Sequence, residues 1–150
     1  MPHSYVSCLM RCVFSTSHRH RSIPEDLQQR LWPFIGGIAR ENGIKALAIG
    51  GTDDHVHILL SLPATIPVAK AMQLIKGSSS KWIHETFPTQ RDFAWQESYG
   101  AFSVSVSQVE ATIAYIRNQR EHHRKKTFEE EFLTFLKKHG IEYDERYVLG

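Results

Sequence analysis

Ile44–Leu62, IKALAIGGTDDHVHILLSL, sets two apolar-rich runs on either side of a short polar break. Ile44–Gly51 reads as a strand, Gly51–Asp54 as a polar turn, and His55–Leu62 as a strand hairpinned to the one before it. Side chains along a strand alternate between its two faces. Val56, Ile58, Leu60 and Leu62 therefore point into a core, while His55 and His57 project together from the other face. Such a hairpin belongs in a sheet whose apolar side is covered by helices.

Upstream, Ser4–Ser15 repeats the period of two, with Val6, Cys8, Met10, Cys12 and Phe14 on one face, and reads as the first strand. After the polar loop Thr16–Ser22, Pro24 and Glu25 open a helix that carries Leu27, Leu31, Phe34, Ile35 and Ile38 at helical spacing, and Asn42-Gly43 ends it. Downstream, Pro63 and Pro67 punctuate the chain. Val68–Phe87 predicts a second helix with Val68, Met72, Ile75 and Trp82 inward. Phe93–Val106 is extended and aromatic-rich, broken near Gly100. Helical spacing returns from Val109 to about Lys126, and a short helix over Phe128–His139 and an irregular tail close the chain. The order β-α-β-β-α-β is the split βαβ of a ferredoxin-like α+β fold, an antiparallel sheet with helices on one face. The helix from Val109 is an addition to that plan, and the open face of the sheet is the place available to it. One domain is expected over residues 1–150, with a core of about 4–126 and a C-terminal helix and tail at 127–150.

At 41% apolar residues, a chain of 150 can bury a proper core. It has no apolar run of membrane-spanning length and no basic-then-apolar leader, so no membrane partner is expected. Cys8 and Cys12 are too far apart in an extended strand to bridge each other, which makes a reducing cytoplasm the expected compartment. The net charge of +2 announces little, but its distribution is uneven. Residues 1–126 hold fifteen Lys/Arg against ten Asp/Glu, and 127–150 hold three against six. Basic density peaks at Arg117, Arg120, Arg124, Lys125 and Lys126, with Glu121 the one acid among them. Charge alone leaves two readings open, a phosphate-binding run or a solvated helix face.

Two constellations carry chemistry. The imidazoles of His55 and His57 can supply two ligands to a divalent ion, or simply face solvent. A second H-x-H, His18-Arg19-His20, lies in a loop where nothing fixes its geometry. Tyr115 and Gln119, spaced i, i+4, lie one helical turn apart, with Ile113 and Ile116 better suited to the packed side. A tyrosine hydroxyl can be a nucleophile and a glutamine carbonyl oxygen a third metal ligand. Read from spacing alone, Tyr115 is equally a half-buried packing residue. His122 continues that face, either to touch a phosphate or to sit at the surface.

GGTDDHVHILLSLP (residues 50–63), with its His-hydrophobic-His centre, resembles the signature of the HUH endonucleases. Its surroundings resemble the single-tyrosine HUH transposases of the insertion-sequence 200/605 type. SYVSCLMRCVFST (4–16) is similar to that family's first strand, and KGSSSKWI (76–83) to its second helix. FAWQESYGAFSVS (93–105) is similar to its fourth-strand region, and YIRNQREHHRKKTFEEEF (115–132) to its tyrosine helix and the segment after it. The likeness runs along nearly the whole chain, in order, with no departure at a catalytic position. It implies that His55 and His57 are metal ligands, Gln119 the third ligand and Tyr115 the nucleophile, with Mg²⁺ or Mn²⁺ as cofactor. It implies cleavage and rejoining of single-stranded DNA through a 5′-phosphotyrosine, with DNA hairpins recognised at element ends. It also implies a homodimer, in many members with sites shared between subunits. Arg117, Arg120, His122, Arg124, Lys125 and Lys126, with Lys70, Lys76 and Lys81, are the candidate DNA contacts. Two other functions compete. One is a non-catalytic nucleic-acid-binding module that stacks bases on Phe93, Trp95, Tyr99 and Phe102 of an open sheet. The other is a metal-dependent nuclease that uses water.

Overall fold

The computed structural model describes residues 4–123 and 125–150, with the backbone but not the side chain of Arg120; Arg124 lies outside the described residues. Four strands, β1 (Leu9–Ser15), β2 (Lys45–Gly51), β3 (His55–Ser61) and β4 (Gly100–Ser103), form one antiparallel sheet in the order β2-β3-β1-β4. The helices are α1 (Glu25–Glu41), α2 (Val68–Thr86), α3 (Val109–Arg117), α4 (Gln119–His123) and α5 (Phe128–Lys138). Up to β4 this is the expected ferredoxin-like arrangement. The first strand is shorter than its alternation suggests. Leu9 pairs with Ser61 on the last rung that β3 offers, and Tyr5 and Val6, having no partner strand, are exposed.

Period-two alternation sorts the sheet into two layers. Cys12, Phe14, Val56, Ile58 and Leu60 meet Leu27, Leu31 and Ile35 of α1 and Met72, Ile75 and Ile83 of α2 in the main core. At roughly 1.5–3 kcal/mol for each large apolar side chain removed from water, this layer holds the fold. α1 ends as anticipated, with Gly43 at φ +72°, a conformation that costs glycine nothing.

The other face of the sheet is covered more fully than the sequence suggests. α3 seats Ile116 on Ala48 and Leu59. α5 lays Phe128, Phe132, Phe135 and Leu136 over Val13 and Phe102. Glycine lets α3 approach, because a Cβ on Gly50 would lie 2.3 Å from the carbonyl oxygen of Ile116. α5 starts at a capping box. Glu130 N–H donates to Thr127 Oγ1 (3.2 Å) while Thr127 N–H donates to Glu130 Oε1 (3.4 Å). The C-terminal helix is thus a wall of the same packed body.

A third difference concerns the helix expected from Val109 to about Lys126. It breaks at Asn118 (φ −107°, ψ 31°), whose N–H is shared between the carbonyls of Ala114 (3.1 Å) and Tyr115 (3.2 Å). The tightened turn ends α3, and the chain restarts as α4 with Gln119 turned inward and buried.

Candidate active site

His55 and His57 sit on an inner strand, opposite Ser15 and Val13 of β1, on the face covered by α3 and α5. Both are fully buried, which removes the solvent-facing reading. Around them the chain gathers Gln119 from α4, Tyr115 from α3, and two residues that spacing and resemblance did not single out, His123 and Glu131. Glu131 Oε1 accepts from His57 Nε2 at 2.8 Å and lies 3.2 Å from His123 Nε2 and 4.0 Å from His55 Nε2. Its other oxygen accepts the hydroxyl of Tyr115. The Tyr115 ring stacks on His122, centroids 4.1 Å apart. One carboxylate therefore joins the nucleophile candidate to the histidine pair within a single chain.

Both ring nitrogens of His55 meet polar partners. Thr52 Oγ1 donates to Asp54 Oδ1 (3.1 Å), and His55 Nδ1–H donates to the same oxygen (2.7 Å). His55 Nδ1 also lies 2.9 Å from Thr52 Oγ1, and its Nε2 faces Gln119 Oε1 at 3.0 Å. That amide is oriented by its own Nε2–H, which donates to the Tyr115 carbonyl (3.1 Å), so the oxygen must be the atom turned toward His55. A ring proton fits between these two atoms, and so does a divalent cation, since 3.0 Å is the edge of an octahedron whose ligands lie at about 2.1 Å. One ligand atom from each of His55, His57, His123 and Glu131 falls within 4.8 Å of the others. The residues fit a divalent cation, with Asp54 as the outer carboxylate that orients a ligating histidine.

Burial pushes His57 down to about 4, only partly offset by Glu131, so its imidazole is neutral near pH 7 as a ligand must be. Its Nδ1 is buried without a partner. Burial alone would raise the Glu131 carboxyl, but bonds from His123, His57 and Tyr115 outweigh it and hold the group far below the usual carboxylate range. For Asp54 burial is likewise outweighed, by the bonds to His55 and Thr52, and its carboxyl is lowered. Tyr115 is pushed up by burial first and by Glu131 second, with Arg11 acting in the opposite sense. The hydroxyl keeps its proton in this state.

The candidate DNA contacts divide. His122, Lys125 and Lys126 line a 350 Å³ cavity together with Tyr115, Asn118, Glu121 and Glu131, and Arg117 is exposed on α3. Arg120 (side chain) and Arg124 lie outside the described residues. Lys70, Lys76 and Lys81 are on α2, which packs on the opposite face of the sheet from Tyr115. Lys76 is a correction. Its ammonium donates to the carbonyls of Gln96 (2.6 Å), Glu97 (3.1 Å) and Ser98 (3.0 Å), which uses all three of its protons to clamp that loop. The base-stacking platform is also absent. Phe93, Trp95 and Phe102 are buried in the two cores, Tyr99 packs against the first, and α3 and α5 cover the face that would have stayed open. Glu131 did leave a signal in the sequence. It lies three residues after Phe128 and four before Phe135, on the apolar face of an acidic helix start.

A family model described as "Transposase IS200 like" matches residues 4–119. Among curated proteins, the ISDra2 transposase TnpA of Deinococcus radiodurans is 23% identical over 114 residues, 73% of this chain and 81% of that protein. The transposase of insertion sequence element IS200 from Salmonella typhimurium is 23% identical over 87 residues, 58% of this chain and 57% of that one. Two solved structures share the fold. One is a Deinococcus radiodurans R1 protein assigned as a transposase (TM-score 0.65, 22% identity, 78% of this chain and 97% of that one). The other is a REP-associated tyrosine transposase bound to a REP hairpin (TM-score 0.56, 15% identity, 77% and 68%). Given a family match that runs from before β1 to Gln119, this chain belongs to the IS200-like transposases.

Proposed function

We propose that this transposase cuts single-stranded DNA by attack of Tyr115 on a phosphodiester, stays joined to the cut 5′ end as a phosphotyrosine, and releases a 3′-hydroxyl. The observation that carries the reading is the convergence of Tyr115, through Glu131, on His55, His57 and Gln119. When bound by these ligands, Mg²⁺ or Mn²⁺ supplies charge stabilisation at a non-bridging oxygen of the scissile phosphate. The protein does the rest. Asp54 and the Gln119 amide orient the ligating groups, His57 stays neutral, and Glu131 orients the tyrosine hydroxyl, whose proton passes to solvent as the oxygen attacks. The Tyr115 oxygen forms the new bond to phosphorus as the P–O3′ bond breaks, and the departing 3′ oxygen takes up a proton. One phosphoester replaces another, so a 3′-hydroxyl from a second DNA end can reverse the step and join the strands without ATP.

DNA hairpins at element ends are the proposed recognition feature; the REP-associated relative is bound to a hairpin. A homodimer is the proposed assembly, with edge strands β2 and β4 free to pair with a second copy. The test is an assay of top, bottom and annealed strands carrying a terminal label, with Mg²⁺ or Mn²⁺. The parent is expected to form a covalent adduct on one single strand only, and Tyr115→Phe to fold and form none. Cutting without an adduct identifies a water-using nuclease, binding without cutting identifies a non-catalytic module, and cutting of the duplex alone rejects the single-strand reading.

A further inference from the structure

The Tyr115 ring stands between two cavities, and it is the one lining residue they share among the described residues. The first, of 350 Å³, is the one lined by His122, Lys125 and Lys126. The second, of 570 Å³, lies between β4, α3 and the end of α5, and the mechanism leaves it unused. Arg11, Ser103, Gln108, Phe135 and Lys138 line it, and among the described residues no acidic side chain does.

Arg11 is the unusual member. It sits on β1, an inner strand, opposite Leu59 of β3 and Phe102 of β4. Its Nε is buried and has no hydrogen-bond partner. The guanidinium lies over the rings of Tyr115 (4.9 Å) and Phe135 (4.8 Å). Stacking on two aromatic faces suits guanidinium, but it answers none of its N–H donors. Burying the Nε–H without an acceptor is costly, and burial works against this charge, with Tyr115 and Glu131 acting in the opposite sense. The chemistry that satisfies such a group is an anion with several oxygens, for which the planar fork of arginine is shaped.

We propose that this cavity is a phosphate subsite on the DNA path, in which Arg11 grips a non-bridging oxygen of a phosphodiester neighbouring the bond that Tyr115 attacks. A strand laid across Tyr115 has nucleotides on both sides of the scissile bond, and a cavity carrying cationic side chains lies on each side of the ring, the smaller one also lined by Glu121 and Glu131. The size is ample for a nucleotide, as small-ligand pockets run from roughly 300 to 1,000 Å³. The proposal rests on the DNA-cleaving reading above and adds a residue to it.

The test uses single-stranded oligonucleotides with one methylphosphonate, a neutral linkage, placed in turn at each phosphate around the cleavage site. With the parent, one flanking position should weaken binding and slow adduct formation by about tenfold. Arg11→Met should show a loss of similar size on the all-phosphate strand and no further loss at that position. Arg11→Lys, which keeps the charge without the fork, should fall between. If Arg11→Met fails to fold by circular dichroism, Arg11→Lys carries the test through a reduced penalty at the same position. Full sensitivity at every position in either folded variant overturns the proposal. Inorganic phosphate competing at concentrations that leave the strand's backbone contacts intact would instead assign the cavity to a free anion and overturn it too. Should the parent bind strands but form no adduct, the cleavage reading fails, while the methylphosphonate pattern read by fluorescence anisotropy still decides the role of Arg11.

Discussion

Lowering the pH from 7 to 5 should destabilise this protein chiefly through one side chain. His57 is pushed from 6.5 to about 4 by burial. Between those values the unfolded chain binds a proton that the native state refuses, so stability rises with pH across the window. It is fully present above about 6.5, falls as pH drops below that, and is exhausted below about 4. At about 1.4 kcal/mol per pH unit, the gap corresponds to roughly 3 kcal/mol in all, of which about 2 kcal/mol is lost between pH 7 and 5. For a chain of this size that is a fall in Tm of about 4–8 °C. Asp54 and Glu131 are also held below their ordinary values, from 3.8 and 4.5, so their stability is lost only as pH falls below those values, beneath this window. The assay is urea unfolding and calorimetry at pH 7 and 5 in metal-free buffer, with His57→Gln alongside. The glutamine keeps a donor for Glu131 and does not titrate, so its stability should change little between the two pH values. Equal losses in the parent and His57→Gln would mean that His57 is not the group responsible.

Two further outcomes follow from the site. Calorimetric titration with Mn²⁺ should show a large loss of affinity in His57→Ala and a smaller one in Gln119→Ala, with hairpin binding retained if, as is general for such interfaces, phosphate contacts fall mainly to Lys and Arg; unchanged affinity in His57→Ala removes the histidine pair from the metal site. Since Tyr115 meets the histidines within one chain, mixing His57→Ala with Tyr115→Phe should restore no activity. Recovery toward a quarter or more of the parental rate means the two subunits exchange tyrosine helices.

Residues that follow one local period are legible in the sequence. Alternation assigns His55 and His57 a common face, and an i, i+4 step brings Tyr115 beside Gln119 even though the helix breaks between them. Contributions from across the fold are not legible. Glu131 sits in Glu129-Glu130-Glu131, a composition that reads as a solvated helix start. Only its phase relative to Phe128 and Phe135 betrays the burial. Arg11 is a charge in an otherwise apolar strand, which alternation counts as a surface position until α3 and α5 cover that face. Lys76 misleads for the converse reason: a lysine on a polar helix face looks available, and the three carbonyls that claim it come from a loop about twenty residues further on.

Glu131 reaches the histidines from α5, a helix that also buries four large apolar side chains against the sheet. The docking of that helix and the occupancy of the site are therefore thermodynamically linked, and the coupling has the same size in both directions. Any ligand that competes for Glu131's hold on His57 or Tyr115 draws on the free energy that seats α5. Any substitution that loosens Phe132 or Phe135 changes affinity at a centre to which neither residue supplies a ligand. Hydrogen exchange along 128–138 is consequently a reporter of site occupancy that requires no labelled DNA.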